Sequence, residues 1–327
     1  MAVGREPEVE SPDGSAVPTF LSQICLPHLR DTQNPDGGWG FCAGASSSVE
    51  ATSWSLLGLV GLRSAPDLDT CCERALAWTG KAQLADGSWP AYPGQRHGCW
   101  VTSLASLALL AHDTAPERVA KGAKWLCNSW PGEGGWWWRF RHRLFAKPGT
   151  VRQDFSLRGW SWTPGTSSWV EPTSLALLLL QRAAGEPPLP LAAKRIRLAE
   201  AMLYDRMCPR GGWNCGNPLV YGVPGEPAVM PTALALMALR AHSERNENRQ
   251  SLDWLESTYP RLQGPGSLAL AHLSLALCDR PAPEPELEAL YRTNQFLGNT
   301  VVLAWAAMAL GPARFWFRGS LFGKRPS

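Results

Sequence analysis

The strongest constraint on the fold of this chain is a tryptophan turn that recurs together with a threonine downstream of it. Glycine-rich segments end in tryptophan as DGGW, DGSW, LRGW and RGGW, at Trp39, Trp89, Trp160 and Trp213. The threonines that follow open apolar runs at Thr52, Thr102, Thr173 and Thr232. The first three pairs are separated by 13 residues and the fourth by 19. Recurrence with a period of about 50 residues indicates a repeat architecture.

Each repeat predicts a helical hairpin with the tryptophan in the turn between its two helices. The first helix is amphipathic, as in RALAWTGKAQL and RLAEAMLYDRM. The second is almost wholly apolar, as in TSLASLALL, which is typical of a fully buried helix. Alternation of the two kinds predicts an all-α fold, an α/α toroid of about five to six helical hairpins with inner and outer layers. The last two units, around LDWLESTYPRLQGPGSLALAHLSLAL and NTVVLAWAAMAL, keep the helix pattern without the tryptophan turn.

The repeats predict one domain with two tails and an insertion. Residues 18–312 carry the toroid pattern, residues 1–17 form an acidic, polar tail predicted to be disordered, and residues 313–327 form a basic, aromatic tail. Residues 137–159 interrupt the third unit. The stretch from Arg139 to Arg152 contains five Lys or Arg, one His and no acid, and we interpret it as an inserted flap.

The repeat resembles that of squalene and oxidosqualene cyclases and of protein prenyltransferase β subunits. The segments QNPDGGW and QLADGSW, ending at Trp39 and Trp89, fit the Q-x-x-x-G-x-W motif of the cyclases. In that family the glutamine and tryptophan tie outer helices together. The resemblance covers roughly residues 20–312. It implies a toroid whose barrel holds an isoprenoid, although one fold can carry many functions.

The resemblance also implies where a general acid would lie. Class II cyclases open an inner helix with D-x-D-D-T, and the middle aspartate protonates an alkene or epoxide. Alignment of that threonine with Thr52 and Thr173 places Glu50 and Glu171 at the position of the acid, without the flanking aspartates. We therefore expect Glu171, and then Glu50, to be catalytic if the protein is an enzyme. The alternative is that each carboxylate only stabilises the positive end of its helix.

Aromatic residues near these acids are the candidate substrate-binding residues. Carbocation chemistry uses aromatic walls through cation–π attraction, although tryptophan in a core more often serves packing alone. At the position of the acid, the second and fourth inner helices carry Trp100 and Met230. The predicted lining comprises Trp160, Trp162, Trp169, Trp100, His97 and Met230.

No cofactor or metal site is predicted. Prenyltransferases bind zinc with D-x-C at this helix start and with a histidine before a later threonine, whereas this chain has threonine in place of the cysteine and Pro172 and Pro231 in place of the histidine. No D-D-x-x-D run for magnesium and diphosphate is present either. The nine cysteines are scattered, and no secretory signal precedes them, which favours a cytoplasmic location.

The partners expected from composition are apolar. A net charge of +3 does not favour nucleic acid, and no apolar run is long enough to cross a bilayer. Residues 137–147 and 314–325 mix Phe and Trp with basic residues, which predicts peripheral contact with the inner membrane face unless both segments fold back on the toroid.

The sequence therefore favours a terpene-cyclase-like protein that acts on an apolar isoprenoid by acid-initiated cyclisation in the barrel. The alternatives are a non-catalytic isoprenoid- or lipid-binding protein, a scaffold, or a degenerate prenyltransferase-like protein. The flanking aspartates of the cyclase motif are missing, which makes a lone glutamate a weaker acid. Their absence counts against cyclisation, but it does not argue against the binding of an isoprenoid.

Overall fold

The computed structural model of the protein describes residues 18–62, 66–133, 135, 140, 153–183, 191–280 and 282–319. The predicted tail 1–17 and most of the insertion 137–159 lie outside these residues. A short π-helix, Leu21–Cys25, opens the fold. The described α-helices are α1 (Leu26–Asp31), α2 (Val49–Gly58), α3 (Pro66–Lys81), α4 (Val101–Ala111), α5 (Pro116–Asn128), α6 (Val170–Arg182), α7 (Ala192–Asp205), α8 (Val229–Ala238), α9 (Asn246–Thr258), α10 (Pro265–Leu277), α11 (Leu287–Asn294), α12 (Thr300–Leu310) and α13 (Ala313–Arg318).

Strands are rare in the described part of the chain. β1 (Leu219–Val220) pairs antiparallel with β2 (Val223–Pro224) in a two-stranded hairpin. Short 3-10 helices cover Arg240–His242, Tyr259–Arg261 and Gln295–Gly298. The hairpin lies between Trp213 and Thr232, so it accounts for the longer spacing of the fourth repeat.

The apolar helices close into a ring, which confirms the predicted toroid. In order, α2, α4, α6, α8, α10 and α12 each pack against the next, and α12 packs against α2. At the closing contact the rings of Trp54 and Trp305 meet edge to face at 5.6 Å. A Cβ on Gly58 would lie 2.9 Å from the carbonyl oxygen of Ala304, so only glycine allows this approach. The amphipathic helices α1, α3, α5, α7, α9 and α11 form the outer layer.

The constant spacing between tryptophan and threonine has a direct physical cause. The backbone N–H of each turn tryptophan donates to the hydroxyl of the threonine that opens the inner helix, at 2.8–2.9 Å in all four repeats. The same tryptophan donates its indole N–H to a carbonyl near the end of the outer helix, at 2.6–3.0 Å. Each turn therefore joins the two layers through buried, fully paired polar groups.

The glutamines of the two Q-x-x-x-G-x-W segments join neighbouring repeats. Gln33 donates to the carbonyl oxygens of Gly37, in its own turn, and Cys71, in α3, at 2.9 and 2.8 Å. Gln83 bonds in the same way to Gly87 and to Arg118 of α5, at 2.9 and 3.0 Å. Hydrogen bonds from side-chain amides therefore stabilise the outer layer in addition to apolar packing.

The C-terminal helix α13 packs on the domain. It contacts α12 and α10, and the side chain of Phe317 is 3% exposed. The described part of the basic, aromatic tail therefore belongs to the toroid. None of the helices in the described residues combines the length and apolar character that a membrane span requires.

Candidate functional site

The two glutamates singled out by sequence lie at the same place in two inner helices. We call this end of the barrel, where the inner helices begin, the rim. Glu50 and Glu171 each occupy the first turn, two residues before the threonine that faces the outer layer. Two residues correspond to a rotation of about 200° around a helix. Because Thr52 and Thr173 point outward to the tryptophan turns, the two glutamates point toward the axis of the barrel.

Burial dominates the protonation of Glu50. It raises the pKa of the Glu50 carboxyl to about 7, and no hydrogen bond among the described residues opposes the shift. The helix is capped separately, since the Ser48 hydroxyl accepts from the backbone N–H of Ala51 at 3.1 Å. Glu50 is therefore not needed as a cap, and near neutral pH a substantial fraction of this carboxyl holds its proton.

Glu171 has a different environment. Burial raises the pKa of its carboxyl, whereas its own backbone N–H and the thiol of Cys215 oppose that rise by donating hydrogen bonds to it. Its second oxygen, Oε2, is buried without a partner. This carboxyl has one oxygen held by donors and one left for a ligand, and an unpaired buried polar atom of this kind requires an explanation.

Cys215 reaches Glu171 because successive repeats are joined in register. The backbone N–H of Val170 donates to the carbonyl oxygen of Cys215 at 3.1 Å. Cys215 follows Trp213 by two residues, and the residue at that position in other repeats makes the same kind of bond. The equivalent bonds run from Val49 to Ala91, from Trp100 to Trp162 and from Thr300 to Phe41. The sequence reasoning missed Cys215, although its position two residues after a turn tryptophan was a usable signal.

A buried ion pair supports the loops beside Glu171. Glu133 and Arg206 are 2% and 1% exposed, and Arg206 Nη2 lies 3.5 Å from Glu133 Oε1. That oxygen also accepts from the backbone N–H of Ser168 at 2.9 Å. Arg206 Nη1 donates to the carbonyl oxygen of Gly216 at 3.5 Å. The pair therefore links the segment before Glu171 to the segment after Cys215.

Trp100 and Trp162 come together on the rim. Their rings meet edge to face at 4.8 Å, and both side chains are half-buried. Because α4 lies between α2 and α6 in the ring, Trp100 stands between the two glutamates in ring order. The first turn of α8 carries the half-buried Met230, whereas His97 is exposed in a loop.

Trp160 and Trp169 belong to the wall of the toroid. The two residues form an isolated antiparallel bridge, and the indole N–H of Trp160 donates to the Leu126 carbonyl at 3.0 Å. Arg195 stacks on the Trp160 ring, 4.0 Å from its centroid. This is the layer-joining position that Trp39 occupies in the first repeat, so packing explains the placement of Trp160.

Two further tryptophans lie below the rim and were missed by sequence reasoning. Trp54 follows Glu50 by one helical turn on the same face of α2, and it meets Trp305 of α12. The indole nitrogens of both are buried without a hydrogen-bond partner. The four-residue spacing from Glu50 could have identified Trp54, but its contact with Trp305 depends on closure of the ring.

Within the described residues, no group of three or more His, Cys, Asp and Glu side chains is placed to hold a metal ion. The chemistry available at the rim is that of two half-buried carboxyls, a thiol and indole rings. Carboxyls with raised pKa values can donate protons near neutral pH, and indole faces attract cations.

No protein-family model matches the chain, and no curated protein matches it. Solved structures do match. The chain adopts the fold of the α/α toroid enzymes.

One similar structure is a variant of the type II terpene cyclase MstE from Scytonema in complex with merosterolic acid A, its product. It has a TM-score of 0.51 and 15% identity, over 90% of this chain and 81% of that one. An α-amylase from Clostridium perfringens has a TM-score of 0.55 and 8% identity, over 90% and 97% of the two chains. Cellobiose 2-epimerase from Spirochaeta thermophila has a TM-score of 0.51 and 13% identity, over 88% and 82%. These likenesses show the fold alone.

Proposed function

We propose that the protein binds an apolar isoprenoid in its barrel and cyclises it by a class II-like reaction that a rim glutamate starts. The observation that carries this proposal is the pair of half-buried carboxyls, Glu50 and Glu171, which lie in the first turns of two inner helices and have raised pKa values. The inner helices below them are apolar, which suits a hydrocarbon chain. A type II terpene cyclase of the same fold has been solved with its product bound, so the fold is compatible with this chemistry.

In the proposed first step, Glu171 transfers a proton from Oε2 to an alkene carbon or epoxide oxygen of the substrate. The alkene π electrons, or an oxygen lone pair, form the new bond to hydrogen, and the carboxylate that remains accepts hydrogen bonds from Cys215 and from its own backbone N–H. The next alkene closes a ring onto the cation. The cyclised cation then loses a proton to water, and Glu171 regains a proton from water, so the reaction is an isomerisation overall and the acid is restored.

The indoles at and below the rim would stabilise the cation. Trp100 lies between the two acids in ring order and contacts Trp162. Trp54 lies one turn below Glu50 and contacts Trp305. A cation over an indole face gains about 0.5–2 kcal/mol, more where water is excluded. Several rings along the path of the chain would therefore favour successive ring closures over early capture of the cation by water.

Binding without chemistry is the second candidate function. No second carboxylate contributes to the pKa of Glu50 or Glu171, and a carboxyl with a raised pKa is a weak acid for an isolated alkene. A protein that only holds an isoprenoid or another lipid would need the same apolar barrel. It would not need either glutamate to be protonated.

Native mass spectrometry with lipid extraction distinguishes these functions. Wild type, Glu171→Gln, Glu50→Gln and the exposed control Glu117→Gln would be purified from a host rich in polyprenyl compounds. We expect a cyclised product with wild type and the control, and the uncyclised chain with Glu171→Gln. The same uncyclised ligand in all four proteins would support a binding protein. The absence of any ligand from wild type would exclude both the cyclase and the binding protein.

A separate proposal, which rests on composition, is that the protein is cytoplasmic and contacts the inner membrane face through the basic segment 137–147. Flotation with vesicles that contain one third phosphatidylglycerol tests it. We expect binding that weakens as salt rises and that is lost when Arg139, Arg141 and Arg143 are replaced by glutamine. Equal flotation of wild type and variant would contradict this proposal without affecting the barrel.

A further inference from the structure

Trp54 and Trp305 occupy equivalent positions in the two inner helices that close the ring. Each comes five residues after the one whose backbone N–H bonds to the loop of another repeat, Val49 in α2 and Thr300 in α12. The two rings meet edge to face, with their centroids 5.6 Å apart and an interplanar angle of 83°. The pair therefore lies at one level of the barrel, a helical turn below Glu50.

The mouth of the barrel reaches this pair. Trp54 shares the inward face of α2 with Glu50, and α12 lies between α2 and α10. The Trp305 ring contacts both neighbours, since it meets Trp54 and would lie 3.0 Å from a Cβ on Gly266 of α10. Trp305 is half-buried, as are Glu50 and Val302, which precedes Trp305 by about one turn. A ligand at the rim can therefore come into contact with the Trp305 ring.

The indole N–H groups of the pair lack the acceptors that other tryptophans have. The turn tryptophans donate to carbonyl oxygens at 2.6–3.0 Å, and Trp78 and Trp125 donate to aspartates at 2.9 and 3.1 Å. Trp54 is 3% exposed, yet neither its indole nitrogen nor that of Trp305 has a partner in the described part of the chain. Buried indole N–H groups usually find an acceptor. At most one of the two can point at the other ring, whose face is a weak acceptor, so at least one strong donor is unused.

The surrounding groups determine which acceptor fits. Burial raises the pKa of the Glu50 carboxyl to about 7, so this carboxyl is a further donor in the fraction that holds its proton. Among the described residues, no basic side chain contributes to the pKa of Glu50 or Glu171. A carboxylate or diphosphate would therefore enter without a countercharge, at a large cost in desolvation. A carbonyl oxygen is neutral, has two lone pairs and carries no donor of its own, so it matches these groups.

We propose that the N–H groups of Trp54 and Trp305 bind a carbonyl oxygen of the substrate, which is therefore an isoprenoid ketone or quinone rather than a hydrocarbon or a prenyl diphosphate. This inference rests on the proposed function, since it assumes that an isoprenoid enters at the rim. In the ring of six inner helices, α6 lies opposite α12. An oxygen held at α12 thus leaves the alkene end of the chain directed toward Glu171.

A pair of matched ligands tests the proposal. The affinity of the full-length protein for geranylacetone, an isoprenoid ketone, is compared with that for the hydrocarbon in which a methylene group replaces the carbonyl. Protein labelled with ¹⁵N at the indole nitrogens reports each N–H group by NMR. Trp54→Phe and Trp305→Phe assign the two resonances and remove one donor each, and Trp125→Phe removes a donor of the outer layer as the control. Circular dichroism establishes that each variant is folded.

We expect wild type to bind the ketone about tenfold more tightly than the hydrocarbon, since two hydrogen bonds that each contribute a few-fold are formed. The ketone alone should shift the indole proton resonances of Trp54 and Trp305 downfield. Trp54→Phe and Trp305→Phe should each lower the ratio of the two affinities about threefold, and Trp125→Phe should leave it unchanged.

Equal affinity of wild type for the ketone and the hydrocarbon overturns the inference while the proposed function stands, and this comparison requires no variant. Indole resonances that the bound ketone does not move overturn it as well, because the donors would then serve a structural water. If wild type binds neither compound, the inference and the proposed function both fail.

Discussion

Glu50 and Glu171 occupy the same position in two repeats, yet their surroundings differ. Glu50 sits above the Trp54–Trp305 pair, and burial alone raises the pKa of its carboxyl to about 7. Glu171 is met by the Cys215 thiol, and its loop is supported by the buried pair Glu133–Arg206. The repeat therefore fixes where each acid lies, while residues from the neighbouring repeat determine how strongly it holds its proton.

This difference assigns distinct properties to the two acids. The Glu171 carboxylate would keep two hydrogen-bond donors after losing its proton, so transfer of that proton leaves a stabilised anion. The Glu50 carboxylate would have none, so its protonated form is favoured up to about neutral pH. Of the two, Glu171 is better arranged to give its proton away, and Glu50 is better arranged to remain neutral beside an apolar chain.

The largest expected effect comes from breaking the support that only Glu171 has. Arg206→Met leaves the Glu133 side chain buried without its basic partner, which should lower the free energy of unfolding by about 3–5 kcal/mol in urea denaturation. Arg245→Met, which breaks an exposed pair with Glu247, should cost less than about 1 kcal/mol. A loss of similar size in both variants would show that the buried pair does not support the Glu171 loop.

Removal of the hydrogen bond between the turn tryptophan and the threonine should destabilise the repeats of Glu50 and Glu171 to the same extent. Thr52→Val and Thr173→Val each leave the backbone N–H of a buried turn tryptophan unpaired. We expect each to lower the free energy of unfolding by about 2 kcal/mol, the usual cost of an unsatisfied buried donor. Clearly unequal losses in urea denaturation would mean that the two hydrogen bonds, although equal in length, do not stabilise their repeats equally.

The raised pKa of Glu50 should appear as a pH dependence of stability. The folded state retains the proton at pH values where the unfolded state has lost it, so stability falls as pH rises from about 4.5 to about 7 and then levels off. After allowance for partial exposure, the fall should be about 1–2 kcal/mol. Glu50→Gln should reduce this fall to the part that Glu171 contributes when unfolding at pH 5 and pH 8 is compared. A wild-type slope that persists in this variant would assign the effect to other groups.

The smallest expected effect is that of the thiol beside Glu171. Cys215→Ala removes one donor from the carboxylate, so the pKa of Glu171 should rise further. The loss of stability between pH 5 and pH 8 should then grow by less than about 1 kcal/mol. Cys42→Ala, at an exposed thiol, provides the control. No change in the pH dependence, or a smaller loss, would show that the thiol does not stabilise the carboxylate.

The sequence predicts well those features that repeat. The constant spacing of Trp39 and Thr52 corresponds to a hydrogen bond between these two residues in the structure. The equivalent bonds recur in three other repeats because the same layers must be joined each time. The toroid, the order of its layers and the position of the two glutamates follow from this periodicity. Trp160 precedes its threonine by the same 13 residues as Trp39 does, and this spacing alone would have placed Trp160 in the wall of the toroid.

Contacts between different repeats could not be predicted in the same way. Cys215 reaches Glu171, and Arg206 reaches Glu133, only because the ring brings consecutive repeats into register. Periodicity places Cys215 two residues after a turn tryptophan, but it does not identify the side chain that the thiol or Arg206 contacts. They depend on the direction in which side chains point after the layers have packed.

The C-terminal segment shows how one composition can serve two environments. Arginine with Phe and Trp suits a membrane interface, but it also suits packing in which a guanidinium lies over an aromatic ring. For residues 313–319 the second arrangement holds, since the Arg182 guanidinium lies 4.9 Å from the centroid of the Trp316 ring. Arg182 and Arg240 also donate hydrogen bonds to the carbonyl groups at the end of α13. Those arginines are far away in sequence, and the composition of the segment did not reveal them.

The contact that closes the ring has a consequence for how the molecule is made. Phe41 and Thr300 join the first and sixth repeats, so a nascent chain must keep the apolar flank of α2 uncovered until α12 has left the ribosome. In an open stack of repeats, each unit could consolidate on its predecessor as it emerges. Here the decisive step brings together parts that are very distant in sequence, which makes folding slow and leaves intermediates prone to aggregation. We therefore expect the closed ring to form late, in one cooperative event that requires all six hairpins.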